Sequence, residues 1–198
     1  SLRLRQQYFL CSAAMQSIVS THLRRYKNLR TLPKFIAVHL NDTHPVLCVP
    51  ELMRILMDEY EFSWEEAWRV VTKTISYTNH TILKESLETW DEGLIQRALP
   101  RIYVIIKEID RRFRQEASEK CVDQNVINNM AIINNRRIRM TNLAVISSHT
   151  INGVSKLHSD ILKDDMLLDM STYYPGKFTN VTNGVTHRRW LCEGNPNL

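Results

Sequence analysis

Phe35-Ile36-Ala37-Val38-His39-Leu40-Asn41-Asp42-Thr43-His44-Pro45 is the stretch on which the fold turns. Its first six residues form a short apolar run between Pro33 and Asn41, which predicts a buried strand. The five that follow are too polar and turn-rich to extend it. A rigid strand handing over to a polar loop is how an α/β sheet sets functional groups beyond its strand ends.

On the N-terminal side, Leu4, Tyr8, Cys11, Met15, Ile18 and Val19 recur three or four apart and predict a helix with one buried stripe, ending before Asn28-to-Pro33. On the C-terminal side a helix is expected from about Pro50 to Tyr60. Another is capped by Ser63 with Glu66 as its partner, carrying Trp64 and Trp68 toward the core. The pattern then breaks into a second polar loop, Tyr77-Thr78-Asn79-His80-Thr81. Helical pattern resumes over Glu85 to Glu88, and Thr89 with Glu92 suggests a further capping box. Ile102, Ile105, Ile106, Ile109 and Phe113 mark a long helix after Pro100.

Residues Cys121 to Asn135 are Asn-rich with little period and predict a surface connection. Arg137 to Met140 suggests a short strand and Leu143 to Ile146 a brief helix. Gly153 introduces another helix with Val154, Leu157, Ile161 and Leu162 inward. The segment from Tyr173 to Leu198 is too rich in large apolar groups for a disordered tail. The expected class is therefore α/β and helix-rich. One or two strands cannot make a sheet alone, so the remaining strands are expected from chain outside these residues.

The 198 residues are 43% hydrophobic and 24% charged, a globular composition. A formal charge of +5 gives a mild bias toward anions. The basic clusters around Arg24, Arg111 and Arg136 fall in or beside amphipathic segments, and Arg188-Arg189 adds a fourth. Solvated helix faces account for them more simply than a nucleic-acid surface. The cysteines Cys11, Cys48, Cys121 and Cys192 form no CxxC pair and read as reduced core or near-core thiols of a cytoplasmic protein. No 18-residue apolar run or secretory leader is present, so no membrane partner is expected. Ser1-Leu2-Arg3-Leu4 starts almost directly in a helix, as an excised piece would.

Asn41 to Pro45 offers a carboxylate, an imidazole and neutral hydrogen-bonding groups suited to a polyhydroxylated ligand. It reads equally as a self-capping turn made by Asn41 and Asp42. His80 can serve a ligand hydroxyl or tie a buried loop to a carbonyl, and Thr81 can hold either loop or ligand. Asn183-Gly184 is a turn signal in which Gly supplies a positive φ, Asn195-Pro196 reads structurally, and Trp190 is a core aromatic or a pocket wall. No metal site is expected: the histidines lack a matching acidic set and no His-Glu-x-x-His occurs. Walker, GxGxxG and GxSxG loops are absent too.

His39-Leu-Asn-Asp-Thr-His-Pro45, Pro50-Glu-Leu-Met-Arg54, Tyr77-Thr-Asn-His-Thr81, Ser148-His-Thr-Ile-Asn-Gly-Val154 with Leu157-His-Ser159, and Thr182-Asn-Gly-Val-Thr186 before Arg188-Arg-Trp190 together resemble the glycogen and starch (α-glucan) phosphorylase family in order and interval. The resemblance covers nearly the whole chain. It implies that residues 1–198 are the later part of the N-terminal lobe of a two-lobed GT-B glycosyltransferase fold, without the C-terminal cofactor-binding lobe. It further implies transfer of a terminal α-1,4-linked glucosyl unit to inorganic phosphate, giving α-glucose 1-phosphate, in a pyridoxal phosphate-dependent cytoplasmic homodimer.

Carried onto this chain, the resemblance gives His80 and Asn183 the glucosyl unit, and Asp42, His44 and Thr81 the acceptor side of the cleft. Trp190 would be a wall of the cofactor pocket. The Schiff-base lysine is absent, so the chain alone is expected to be inactive. His187 stands where the family usually has Pro, Lys84 where it has a small residue or Pro, and the Asn134-to-Arg137 stretch is atypical. A non-catalytic glucan-binding or scaffold module derived from the family is the alternative.

Overall fold

The stripe of apolar residues spaced along the first segment winds into helix α1, Leu2–Tyr26, burying Leu4, Cys11, Met15, Val19 and His22. The computed structural model describes residues 2–195 and 197, so Ser1 and the expected Asn195-Pro196 turn at Pro196 lie outside the described residues. Pro33 falls in the first turn of a short helix α2, Leu32–Phe35, where its missing N–H costs nothing. Strand β1 consequently starts at Val38 and runs to Asn41. Phe35, expected in that strand, is half exposed and stacks on Tyr26 with ring centroids 3.9 Å apart. β1 lies at a sheet edge with only Leu40 buried, so the expectation of a fully buried strand is corrected.

Helix α3 spans Cys48–Arg54 and continues through a π turn over Ile55–Glu59. Helix α4, Trp64–Thr74, has the expected capping box: Ser63 accepts from the Glu66 N–H and the Glu66 carboxylate accepts from the Ser63 N–H. Trp64 and Trp68 are only half-buried, each flanking a surface cavity. Strand β2, Ile75–Thr78, follows α4 without a break. Tyr77, placed in a polar loop by the sequence reading, is fully buried in it. Strand β3 (Thr89–Asp91) leads to α5 (Glu92–Ala98), whose cap is Asp91 accepting from the Leu94 N–H, not the Thr89–Glu92 pair.

Helix α6, Pro100–Glu119, buries the whole isoleucine stripe. Helix α7, Gln124–Met130, capped by Asp123, replaces the expected surface connection; its inward face is only Ile127 and Met130, too little to register as a period among asparagines. Next come β4 (Ile133–Asn134), β5 (Arg137–Arg139), the wholly buried α8 (Met140–Ser147) and β6 (Ile151–Gly153). Helices α9 (Lys156–Ile161) and α10 (Leu168–Tyr173), strand β7 (Phe178–Asn180) and helix α11 (His187–Gly194) complete the chain. In α9 the inward residues are His158 and Ser159, whereas Leu157 is exposed.

The principal sheet is β1-β2-β6-β7, and every neighbouring pair is parallel. The chain therefore supplies its own sheet, contrary to the expectation that strands must come from outside; three- and four-residue strands carry too few side chains to show a period of two. A second, antiparallel sheet pairs β3, β5 and β4. α1 is riveted to α3 by Glu51, whose fully buried carboxylate accepts from Tyr8, Ser12 and Arg54 at 2.8–2.9 Å. Burial alone would raise its pKa, but these donors outweigh it and hold the carboxyl below the ordinary range. Cys11 and Cys48 are buried as expected, while Cys121 and Cys192 are exposed.

The basic residues of α6 and β5 are engaged locally. Arg111 and Arg112 both grip Glu108, Arg114 grips Asp110, and Arg139 donates to the Asn128 and Ala131 carbonyls.

Two predictions follow from packing and charge. A Cβ on Gly153 would lie 2.5 Å from Ser159 Oγ and 3.0 Å from the backbone N and Cα of Ser159, so Gly153→Ala is expected to destabilise by about 2 kcal/mol or more. Ser159→Ala in the same chain does not rescue it, because the backbone remains in the way; urea melts of the three variants measure this. The Lys177 ammonium lies over the Tyr174 ring and donates to the Val145 and Ile146 carbonyls, and burial pushes its pKa down to about 8 from 10.5 against a weaker pull from Glu116. Between those two values the unfolded chain keeps a proton that the folded chain has released, so this group makes stability rise with pH. Lys177→Met is expected to flatten that rise in melts taken from pH 7.5 to 10.5.

Candidate functional site

Parallel pairing places the C-terminal ends of all four strands of the main sheet on one edge. The loops that leave this edge stay hydrogen-bonded to one another. The Asp42 N–H donates to Thr78 O and the Asn79 N–H to Asn152 O, each at 3.0 Å. The Val181 N–H donates to Gly153 O at 3.2 Å and the Asn183 N–H to Val154 O at 2.9 Å. Asp42, His80, Thr81 and Asn183 thus stand along one rim, and both His80 and Asn183 are exposed on it. His80 leaves β2 and Asn183 follows β7, with β6 between them in the sheet order.

Beneath the rim lies a buried polar network. Asn79 is wholly buried; its Oδ1 accepts from the Thr81 N–H at 2.9 Å and meets His158 Nε2 at 3.1 Å, while its Nδ2 donates to Tyr77 Oη at 3.0 Å. The Val154 N–H donates to His158 Nδ1 at 3.1 Å, so the ring proton sits on Nε2 and points at Asn79. Burial pushes the Tyr77 hydroxyl up to about 12, keeping it protonated. A second chain crosses the sheet. Ser76 Oγ lies 3.0 Å from His39 Nδ1, His39 Nε2 bonds Thr78 Oγ1, and Thr78 Oγ1 donates to Asn152 Oδ1 at 2.6 Å.

At the rim itself, His80 Nε2 lies 2.5 Å from Asn41 Oδ1. Asp42 takes a left-handed backbone with φ 66°, a conformation Asp tolerates better than most residues. Its Oδ1 accepts from the Thr43 N–H at 2.6 Å, so the Asp42 half of the expected self-capping turn is present and part of the carboxylate is spent on it, whereas the Asn41 side chain meets His80 instead. Thr43, buried, donates to Glu88 and pins the turn from below. The Thr81 hydroxyl accepts from the Leu83 N–H and so holds its own loop. Gly184 does not take a positive φ, and among the described residues no glycine does, so that part of the turn reading is corrected.

The other two candidates stand apart from these contacts. His44 lines a groove on α1 with Gln7, Leu10 and Cys11. Trp190 is 77% exposed on α11, in a shallow depression walled by that helix and Thr186. It is therefore not a core residue in this chain.

The carbohydrate phosphorylase family model matches residues 1–198. The chain belongs to the carbohydrate phosphorylase family. It is 50% identical over 198 residues to a glycogen phosphorylase of Bacillus subtilis, covering 100% of this chain and 25% of that protein. It is 49% identical over 205 residues to the H isozyme of α-glucan phosphorylase from Vicia faba and 48% over 207 to a cytosolic α-glucan phosphorylase of Arabidopsis thaliana, again covering the whole chain and 24% and 25% of those proteins. The chain thus spans about a quarter of the length of the curated relatives it matches.

Family membership implies pyridoxal phosphate in the full-length enzymes, and the fit of this carbohydrate phosphorylase chain to that group can be tested on its residues. Trp190 offers one flat wall of a depression whose other described lining residues are Thr186, Arg189, Glu193 and Gly194. Lys177, the lysine that burial weakens as an acid–base pair, precedes β7 at the far edge of the sheet and is engaged by two carbonyls. The described residues therefore do not make a cofactor pocket by themselves. Nor, among them, is there a group of three His, Cys, Asp or Glu able to hold a metal ion. No described helix is long and apolar enough to cross a membrane.

Sequence reasoning missed Asn79, Thr78, Asn152 and His158 as the frame under the rim. Asn79 stood inside the Tyr77-to-Thr81 motif and His158 inside Leu157-His-Ser159, but nothing local shows that two residues 79 apart share a hydrogen bond. His158→Ala leaves the Asn79 carbonyl and the Val154 N–H short of partners in the interior and is expected to destabilise by about 2 kcal/mol. Hydrogen exchange should accelerate at the Thr81 and Val154 amides before it does in α6.

Proposed function

We propose that this chain forms the sugar-orienting face of an α-1,4-glucan phosphorylase, within the N-terminal lobe of a two-lobed GT-B fold, and that the reaction transfers a terminal glucosyl unit to inorganic phosphate to give α-glucose 1-phosphate. The observation that carries this reading is the shared rim, where His80 and Asn183 stand exposed on either side of β6 above a hydrogen-bonded frame. Asn41 Oδ1 is an acceptor, so His80 Nε2 carries the proton toward it and Nδ1 is left to accept from a sugar hydroxyl. The Asn183 amide can both donate and accept, as a hydroxylated ring requires. Asp42 and Thr81 border the same rim, and His44 extends the reading toward the acceptor sugars.

None of these groups is a nucleophile. Their contribution is orientation and strengthened hydrogen bonding as the glucosyl unit flattens toward an oxocarbenium-like state. Phosphate as the attacking group, pyridoxal phosphate with its lysine, the second lobe facing this rim and the homodimer belong, in this reading, to the whole protein in the cytoplasm. One relative bears "cytosolic" in its name, which supports that location.

In the whole enzyme, His80→Ala is expected to lower kcat/KM for phosphorolysis of maltoheptaose by about 100-fold, mostly through kcat. A loss of less than threefold would remove His80 from the site. Residues 1–198 alone, supplied with maltodextrin, phosphate and pyridoxal phosphate, are expected to release no glucose 1-phosphate. Saturable binding of maltoheptaose by that isolated chain would instead favour a glucan-binding module.

A further inference from the structure

Two buried thiols come together where α1 packs on the start of α3. Cys11, halfway along α1, and Cys48, the first residue of α3, come from segments 37 positions apart and meet in the seam that Glu51 closes further along. The Cys11 thiol donates to the Pro45 carbonyl at 3.4 Å. The Cys48 N–H donates to the same Pro45 carbonyl at 2.9 Å, which brings the two residues together at one acceptor. Both side chains are nearly buried, 3% and 4% exposed, yet both line the floor of one groove of about 520 Å³ that opens between α1 and the His44-Pro45 turn. Both residues therefore border a solvent-open groove and not a sealed core.

We propose that Cys11 and Cys48 are a dithiol modification site that closes to a reversible disulfide under a low-molecular-weight disulfide oxidant, tying α1 to the base of the loop that carries Asp42. Cys11 is the attacking sulfur, since the neighbouring Cys48 thiol favours the Cys11 thiolate, while that same contact and burial hold Cys48 protonated. The Cys11 thiolate displaces one half of oxidised glutathione, forming a mixed disulfide and releasing a thiolate. That leaving thiolate takes the Cys48 proton, and the Cys48 sulfur then attacks Cys11 and expels the second glutathione. The balance is two protein thiols and one glutathione disulfide in, one protein disulfide and two glutathiones out. The bridge closes at Cys48, six residues after Asp42 and three after Pro45, so it restrains the turn without consuming a residue of the rim.

Cys121 and Cys192 provide the internal comparison, being exposed and each without a partner thiol. The chain is incubated natively with oxidised glutathione, quenched with N-ethylmaleimide and mapped by peptide mass spectrometry. The expected product is a Cys11–Cys48 linked peptide that dithiothreitol reverses, with Cys121 and Cys192 recovered as maleimide or glutathione adducts. Recovery of Cys11 and Cys48 as maleimide adducts after unfolding, while Cys121 carries glutathione, would overturn the proposal, and it needs no variant. In Cys48→Ser the first step should stop at a glutathione adduct on Cys11, and in Cys11→Ser Cys48 should stay unmodified. Equal glutathione loading of the two single variants would overturn the assignment of Cys11 as the attacking sulfur.

Discussion

The Asn79 side chain is the joint on which the rest of this molecule hangs. A buried primary amide must find partners for one oxygen and two hydrogens, and an unmet group of this kind costs about 1–3 kcal/mol. Here the partners come from three places: Tyr77 on β2, the Thr81 N–H on the next loop, and His158 on α9. Satisfying Asn79 therefore fixes the His80 loop against a helix that enters the fold some eighty residues later. Gly153 completes the joint, because only a residue without Cβ lets α9 approach β6 closely enough for His158 to reach.

The parallel sheet converts this joint into a rim. Each strand delivers its following loop to the same edge, and adjacent loops share backbone hydrogen bonds, so displacement of one would be felt by its neighbours. The polar groups that face solvent there, His80 and Asn183, can be exposed because the frame beneath them is closed. Asp42 sits in a strained left-handed turn held from below by Thr43 and Glu88, and from the α1 side by the Cys11 contact to Pro45. Strain of this kind persists only where surrounding contacts over-determine it.

The sheet edge and the opposite face divide the labour. Glu51 and the isoleucine stripe of α6 fix the helical layers, and Arg111, Arg112 and Arg114 of α6 spend their charge on Glu108 and Asp110. The rim stays open, as does α11, whose Trp190 is exposed. Both fit a polypeptide that spans about a quarter of its relatives.

By itself the sequence determined the long helices, the Ser63 capping box, the five collinear motifs and hence the carbohydrate phosphorylase family. Those features are local: a stripe every third or fourth residue and a cap three residues from its partner are visible in a window of chain. The loops that carry Asp42 and His80 were legible for the same reason, as polar breaks after apolar runs, whereas Asn183 read locally as a turn and became a candidate only through the resemblance. Tertiary structure alone decided that Tyr77 is a strand residue and that four short strands suffice for a sheet. It alone decided that β1 is an edge, and that His158 and Asn79 meet while Leu157 faces water. Each of those outcomes depends on a partner dozens of residues away, and a three-residue strand or a single buried amide carries no periodicity from which that partner could be inferred.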